Sequence, residues 1–132
     1  MAFKININYS PNFNPIKRKF HQIKFLVFHY TGMKKESKAI RKLTRIQSEV
    51  SSHYFIKRNG DIILMVPDLY IAWHAGKSFW KRDKNLNKNS IGIEISNPGH
   101  DHGYKKFTKK QIESLINLSK KLIKNYSIKK KN

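Results

Sequence analysis

Two side chains are conspicuous on physical grounds. Glu94 lies in the run 90–96 (SIGIEIS), between Ile93 and Ile95. Successive strand side chains alternate in direction, so Ile91, Ile93 and Ile95 share one face and Gly92, Glu94 and Ser96 the other. A carboxylate there is costly unless it is paired, hydrated by a cleft, or held near a metal. The bare backbone at Gly92 leaves room for something to approach closely. His29 nearly closes a second apolar run, 23–30 (IKFLVFHY), just before Thr31-Gly32. Open α/β sheets place ligands at strand ends, where an imidazole could coordinate zinc or act as a general base. Each residue also has a plainer reading: Glu94 bonded to a lysine or to backbone, His29 packed beside an aromatic. A metal with a nearby carboxylate base is a recurring hydrolytic pair, so the two together favour chemistry. His53 and His74 fit a structural or a substrate-facing role. His100-Asp101-His102 has the shape of a metal clip, but i, i+2 spacing in a glycine-flanked loop is nonspecific.

The elements that must position these residues are readable from pattern. The run 23–30 is nearly continuous and rich in β formers, the signature of a strand buried on both faces. Ala39, Ile40, Leu43 and Ile46 recur at helical spacing within 34–47, predicting an amphipathic helix. Residues 50–57 and 62–66 flank Arg58-Asn59-Gly60-Asp61, a strong hairpin signal because Asn-Gly tolerates positive φ. Residues 68–89, with Trp73-His74-Ala75-Gly76, read as a long loop, and loops of that length in small domains are usually functional. Residues 90–96 form another buried strand. Thr108 to Gln111 is a capping box opening a second helix, with Ile112, Leu115, Ile116, Leu122 and Ile123 on one stripe. The order β-α-β-β-loop-β-α predicts an α/β single domain, a mixed sheet with helices on its faces. Residues 1–22, with Pro11 and Pro15, read as an irregular N-terminal segment, 23–128 as the domain and 129–132 as a basic tail.

Composition narrows the classes. The 132 residues make one small domain, large enough for a core without staples. Cysteine is absent, which excludes disulfides, cysteine zinc sites and thiol nucleophiles. No apolar run approaches the ~20 residues of a membrane-spanning helix, and the first twenty residues lack a secretory signal's apolar stretch. The expectation is a cytoplasmic protein, with export left open. The net charge of +20 raises the possibility of a basic nucleic-acid-binding protein. Against that, lysine outnumbers arginine 23 to 5 and the lysines are scattered. Arginine is the residue that reads guanine edges and grips phosphate bidentately. Attraction to polyanions follows from the charge, without a specific nucleic-acid partner.

Four stretches in order, FLVFHYTGM (25–33), VSSHYFIKRNGDIILMVPD (50–68), IAWHAGKSFW (71–80) and NLNKNSIGIEISNPG (85–99), resemble the zinc-dependent N-acetylmuramoyl-L-alanine amidases. The peptidoglycan recognition proteins share that family. The resemblance runs from Tyr9 to about Ile128. It implies a central mixed sheet with flanking helices and a groove for peptidoglycan or a muropeptide. It also implies zinc as cofactor with His29 as a ligand, and Glu94 as the catalytic carboxylate. Trp73, His74 and Asn85 would wall the groove as substrate-binding residues. Ser52 stands where some relatives place a catalytic tyrosine, which agrees with Glu94 serving as base.

The family's other zinc ligands and an oxyanion-stabilising lysine come from motifs beyond the last helix. This chain ends before them, which implies a domain lacking its C-terminal part. Replacement ligands would have to come from residues such as His53, His74 or His102. The alternative function is a noncatalytic module that binds peptidoglycan fragments.

Overall fold

The structure is a computed structural model that describes residues 4–75, 85–103 and 105–129. Of the long loop read over 68–89, residues 76–84 lie outside that part, as do tail residues 130–132.

Five strands build the central sheet in the order β1-β5-β4-β7-β3. They are β1 (Ile5–Ile7), β3 (Phe25–Tyr30), β4 (Tyr54–Ile56), β5 (Ile62–Leu64) and β7 (Ser90–Ile95). Only the β4–β5 hairpin pair is antiparallel; β1–β5, β4–β7 and β3–β7 run parallel, so the sheet is mixed. A small ladder, β2 (Phe13–Asn14) with β6 (Ile71–Ala72), ties the N-terminal segment to the start of the long loop. The helices are α1 (Glu36–Thr44), the single turn α2 (Leu86–Asn89) and α3 (Lys109–Tyr126).

Strand alternation sorts the core into two layers. Tyr54, Ile56, Ile62, Ile91, Ile93 and Ile95 pack with Leu118 and Leu122 of α3. On the other face Phe55 and Ile63 pack with Ala39 and Leu43 of α1. Gly92 and Glu94 belong to the α1 face, and that placement brings Glu94 out toward a cleft. Thr108 caps α3 as its sequence predicts, accepting from the Gln111 N–H. Gln111 is buried and spends its side-chain amide on the Ser96 carbonyl at 2.7 Å, fixing the helix to the end of β7.

Three expectations change. The segment 1–22 is not wholly irregular, because Ile5–Ile7 pairs with β5 and becomes a sheet edge. Its Asn-Ile alternation is too short to stand out as a strand, and pairing with a hydrophobic neighbour decides it. Asn12 then anchors the segment, donating to the Arg45 and Val50 carbonyls. Second, β3 is the opposite edge and is not buried on both faces: Phe28 and Tyr30 are 51% and 55% exposed. An apolar groove runs between them and Ile95, Phe107, Ile112 and Leu115. Third, the hairpin turn takes positive φ at Gly60 but not at Asn59. A Cβ at Gly60 would stand 2.9 Å from Lys110 Cβ, so close packing on α3 adds to the demand for glycine.

Candidate functional site

The parallel pairing of β3 with β7 sets His29 opposite Glu94. Phe55 of β4 flanks Glu94 on its other side. The two candidate residues are therefore neighbours on adjoining strands and line one pocket of about 200 Å³. Lys42 and Leu43 of α1, Ser51, Trp73 and His74 complete much of its wall.

Burial raises the Glu94 carboxyl to about 7, and the nearby Lys42 ammonium draws it back only in part. Desolvation disfavours the charged form, which is how proteins place a carboxyl near neutral pH. His29 moves the other way, its imidazolium disfavoured by burial. The site thus holds an uncharged imidazole beside a carboxyl that changes state near pH 7.

Behind these two lies a cluster of imidazoles. His29 Nε2 is 3.1 Å from His74 Nδ1, and His74 Nε2 is 3.0 Å from Ser90 Oγ. Burial, then the neighbouring His53, His29 and Arg18, push His74 down to about 2. His53 is fully buried, pushed down to about 3 by burial and then by Arg18. Its Nδ1 accepts from the Gly92 N–H at 3.1 Å, and its Nε2 lies 2.8 Å from the Tyr70 carbonyl. The Gly92 N–H can only donate, so Nδ1 is bare and the ring proton sits on Nε2 toward the Tyr70 carbonyl, with the Arg18 guanidinium 3.2 Å from the same nitrogen. His53 is structural, and its backbone also carries ladder bonds to Gly92 and Met65.

Trp73 is held by three bonds. Its indole N–H donates to Asn14 Oδ1, its backbone N–H to Ser51 Oγ, and its carbonyl accepts from the Ser51 N–H. The ladder of β2 with β6 thus fixes the aromatic wall. Asn85 sits elsewhere: it is exposed and caps α2, accepting from the Asn87 N–H at 3.1 Å. Among the described residues the pocket wall includes His29, Trp73, His74 and Glu94 but not Asn85. His100 and His102 lie on an exposed turn.

Sequence reasoning overlooked Asn87 and Arg18. Asn87 Oδ1 accepts from the backbone N–H groups of both His74 and Ala75. Arg18 is buried and donates to the carbonyls of Ser90, Asn87, Lys88 and Asp68. A buried arginine satisfied by backbone carbonyls leaves no sequence signature, since its partners are main-chain atoms far along the chain.

A family model described as N-acetylmuramoyl-L-alanine amidase matches residues 19–132. The chain belongs to that amidase family. It is 38% identical over 125 residues to the N-acetylmuramoyl-L-alanine amidase AmiD of Escherichia coli K12, covering 86% of this chain and 44% of AmiD. A solved structure of E. coli AmiD with anhydro-N-acetylmuramic acid-L-Ala-D-gamma-Glu-L-Lys superposes with a TM-score of 0.72. It is 39% identical and covers 82% of this chain and 46% of that one. AmpDh3 of Pseudomonas aeruginosa, solved with an anhydromuramic pentapeptide, gives 0.73 at 32% identity over 86% and 48% of the two chains. The chain thus spans less than half the length of these relatives.

A three-ligand zinc centre does not fit the described residues. Among the described residues no three histidine, aspartate or glutamate side chains group to hold a metal. His29 supplies one donor, while the ring nitrogens of His53 and His74 are engaged with other groups. His53 and His74 therefore do not serve as replacement ligands in this arrangement.

Proposed function

We propose that this chain cleaves the amide between the lactyl group of N-acetylmuramic acid and L-alanine in muropeptides, with Glu94 as general base. The observation that carries the reading is Glu94 beside His29 in an open pocket, its carboxyl raised to about 7. A base with a pKa near the working pH combines a useful ionised fraction with real proton affinity. As carboxylate, Glu94 takes a proton from the attacking water; as acid, it returns one to the leaving amine of L-alanine. His29 fills the site's imidazole position, and Trp73 offers an aromatic wall for sugar or peptide. Soluble anhydro-muropeptides are the proposed substrates, because the AmiD and AmpDh3 structures carry such ligands. Acting on them in the cytoplasm is part of the proposal; no helix among the described residues is long and apolar enough to cross a membrane.

A second reading, binding of muropeptides without cleavage, is favoured by the lack of a three-donor metal group among the described residues. One experiment separates the two. Chain and defined anhydro-muropeptide are incubated with and without zinc, and stem peptide is sought by mass spectrometry. Release that falls about 100-fold or more in Glu94→Gln supports hydrolysis. Binding with no release in either protein supports the second reading and overturns the first.

A further inference from the structure

We infer that His74 is the positioning residue of the site, holding His29 as its Nε2–H tautomer with the Nδ1 lone pair left free. The direction of the chain of hydrogen bonds follows from its far end. Ser90 Oγ lies in short contact with the Leu86 carbonyl, which can only accept, so the hydroxyl proton is committed there. Ser90 Oγ must then accept from His74, which places the His74 proton on Nε2. The His74 ring is half-buried between His29 and Ser90, and among the described residues no carboxylate bonds it, so it carries one proton. Its Nδ1 is therefore a bare acceptor, and the proton in the 3.1 Å bond belongs to His29 Nε2. His29 Nδ1 has no hydrogen-bond partner among the described residues and remains the ring's available lone pair.

Two further observations show a built arrangement. The His74 ring is seated on Gly92: a Cβ there would come within 2.4 Å of His74 Cγ. The space that the sequence reserves beside Glu94 is thus filled by His74. The main chain at His74 is clamped as well, since Asn87 Oδ1 accepts from two consecutive N–H groups. Neither ring nitrogen is left to offer a substrate, so His74 acts through His29. A histidine whose second nitrogen is held by a fixed partner presents the first in one protonation state and orientation.

The test is the location of ring protons in the full chain with labelled histidines, near pH 7.5. NMR of the unaltered protein is expected to put a proton on His29 Nε2, none on His29 Nδ1, and a 15N–15N coupling across to His74 Nδ1. His74→Asn, whose amide oxygen can replace the acceptor, retains a protected His29 Nε2–H. His74→Phe keeps the ring's bulk without the acceptor, and His29 then shows mixed tautomers with rapid exchange of its ring proton. If the Phe variant does not fold, Ser90→Ala serves: His74 loses its fixed proton and the bond to His29 its fixed direction. A proton on Nδ1 of His29 or of His74 in the unaltered chain would overturn the inference. So would an unchanged, protected Nε2–H in folded His74→Phe, or an unchanged bond direction in Ser90→Ala. The consequence for turnover, which rests on the amidase reading, is a loss of about 10–100-fold in His74→Phe with rescue by His74→Asn. The tautomer is read without substrate, so a failure of cleavage in every variant counts against the amidase reading alone.

Discussion

Glu94 is stabilised as the neutral acid, and this has a thermodynamic signature. Its folded pKa of about 7 exceeds the ordinary 4.5, so the native state binds more protons than the unfolded chain between those values. Stability contributed by this group is greatest below about pH 4.5 and falls as pH rises through 7, by about 3 kcal/mol in all. Glu94→Gln removes the dependence. Its stability advantage over the unaltered chain is expected to shrink by about 2–3 kcal/mol between pH 8 and pH 5. Denaturant midpoints across that range check it, and a constant difference would mean that Glu94 is well hydrated. His53 and His74 work with the opposite sign. Their folded pKa values lie below 6.5, so their contribution is intact above that pH and fades as the unfolded chain takes up protons below it. Cleavage by Glu94 as base is expected to rise with pH through about 7 and level off above, read as kcat/KM against pH.

At the level of elements, the backbone of β7 makes the site possible. Gly92→Ala would drive a methyl group into the His74 ring, and the ring cannot retreat without breaking its bonds to Ser90 and His29. A loss of about 1–3 kcal/mol is expected, measured by denaturant unfolding, as for other overpacked cores. A second junction lies at the base of the sheet. Asp68 accepts from the Tyr54 hydroxyl at 2.5 Å and from the Tyr126 hydroxyl at 2.6 Å, tying the last turn of α3 to β4. Asp68→Ala leaves two phenols without their acceptor and is expected to cost about 2–3 kcal/mol. Repeating it in a Tyr126→Phe background should recover part of that loss.

What the sequence disclosed about these elements follows from how local each signal is. The strand around Glu94, the α3 capping box and the hairpin depend on neighbours within a few residues. Glu94 and His29 were visible as a polar residue in an apolar run and an imidazole at a strand end, and the structure makes them adjacent. The roles of Asn85, His74 and Asn87 were not legible. Which asparagine caps a turn and which clamps a distant main chain depends on a loop path that no periodicity encodes. The edge position of β3 was hidden for a related reason. An apolar run states that a strand prefers to be covered, and only the sheet order tells how much of it is.

At the scale of the whole molecule the +20 charge is spread widely, and part of it reaches the cleft through Lys42. Lys38, Arg41, Lys42 and Arg45 line a shallow groove along α1, next to the pocket that holds Glu94. Polyanions are expected to associate with this protein without sequence preference. Binding to unrelated duplexes should weaken alike, about tenfold or more between 50 and 200 mM salt. Retention of one duplex at high salt, measured by fluorescence anisotropy, would point to specific recognition instead.

The amide cleavage proposed for this chain runs through Glu94. The most direct measurement is mass-spectrometric detection of stem peptide released from a defined anhydro-muropeptide, comparing the unaltered chain with Glu94→Gln. Release by the unaltered chain and its near disappearance in the folded variant are expected. Equal release by both proteins, or none from a folded chain that binds the muropeptide, would contradict the proposal.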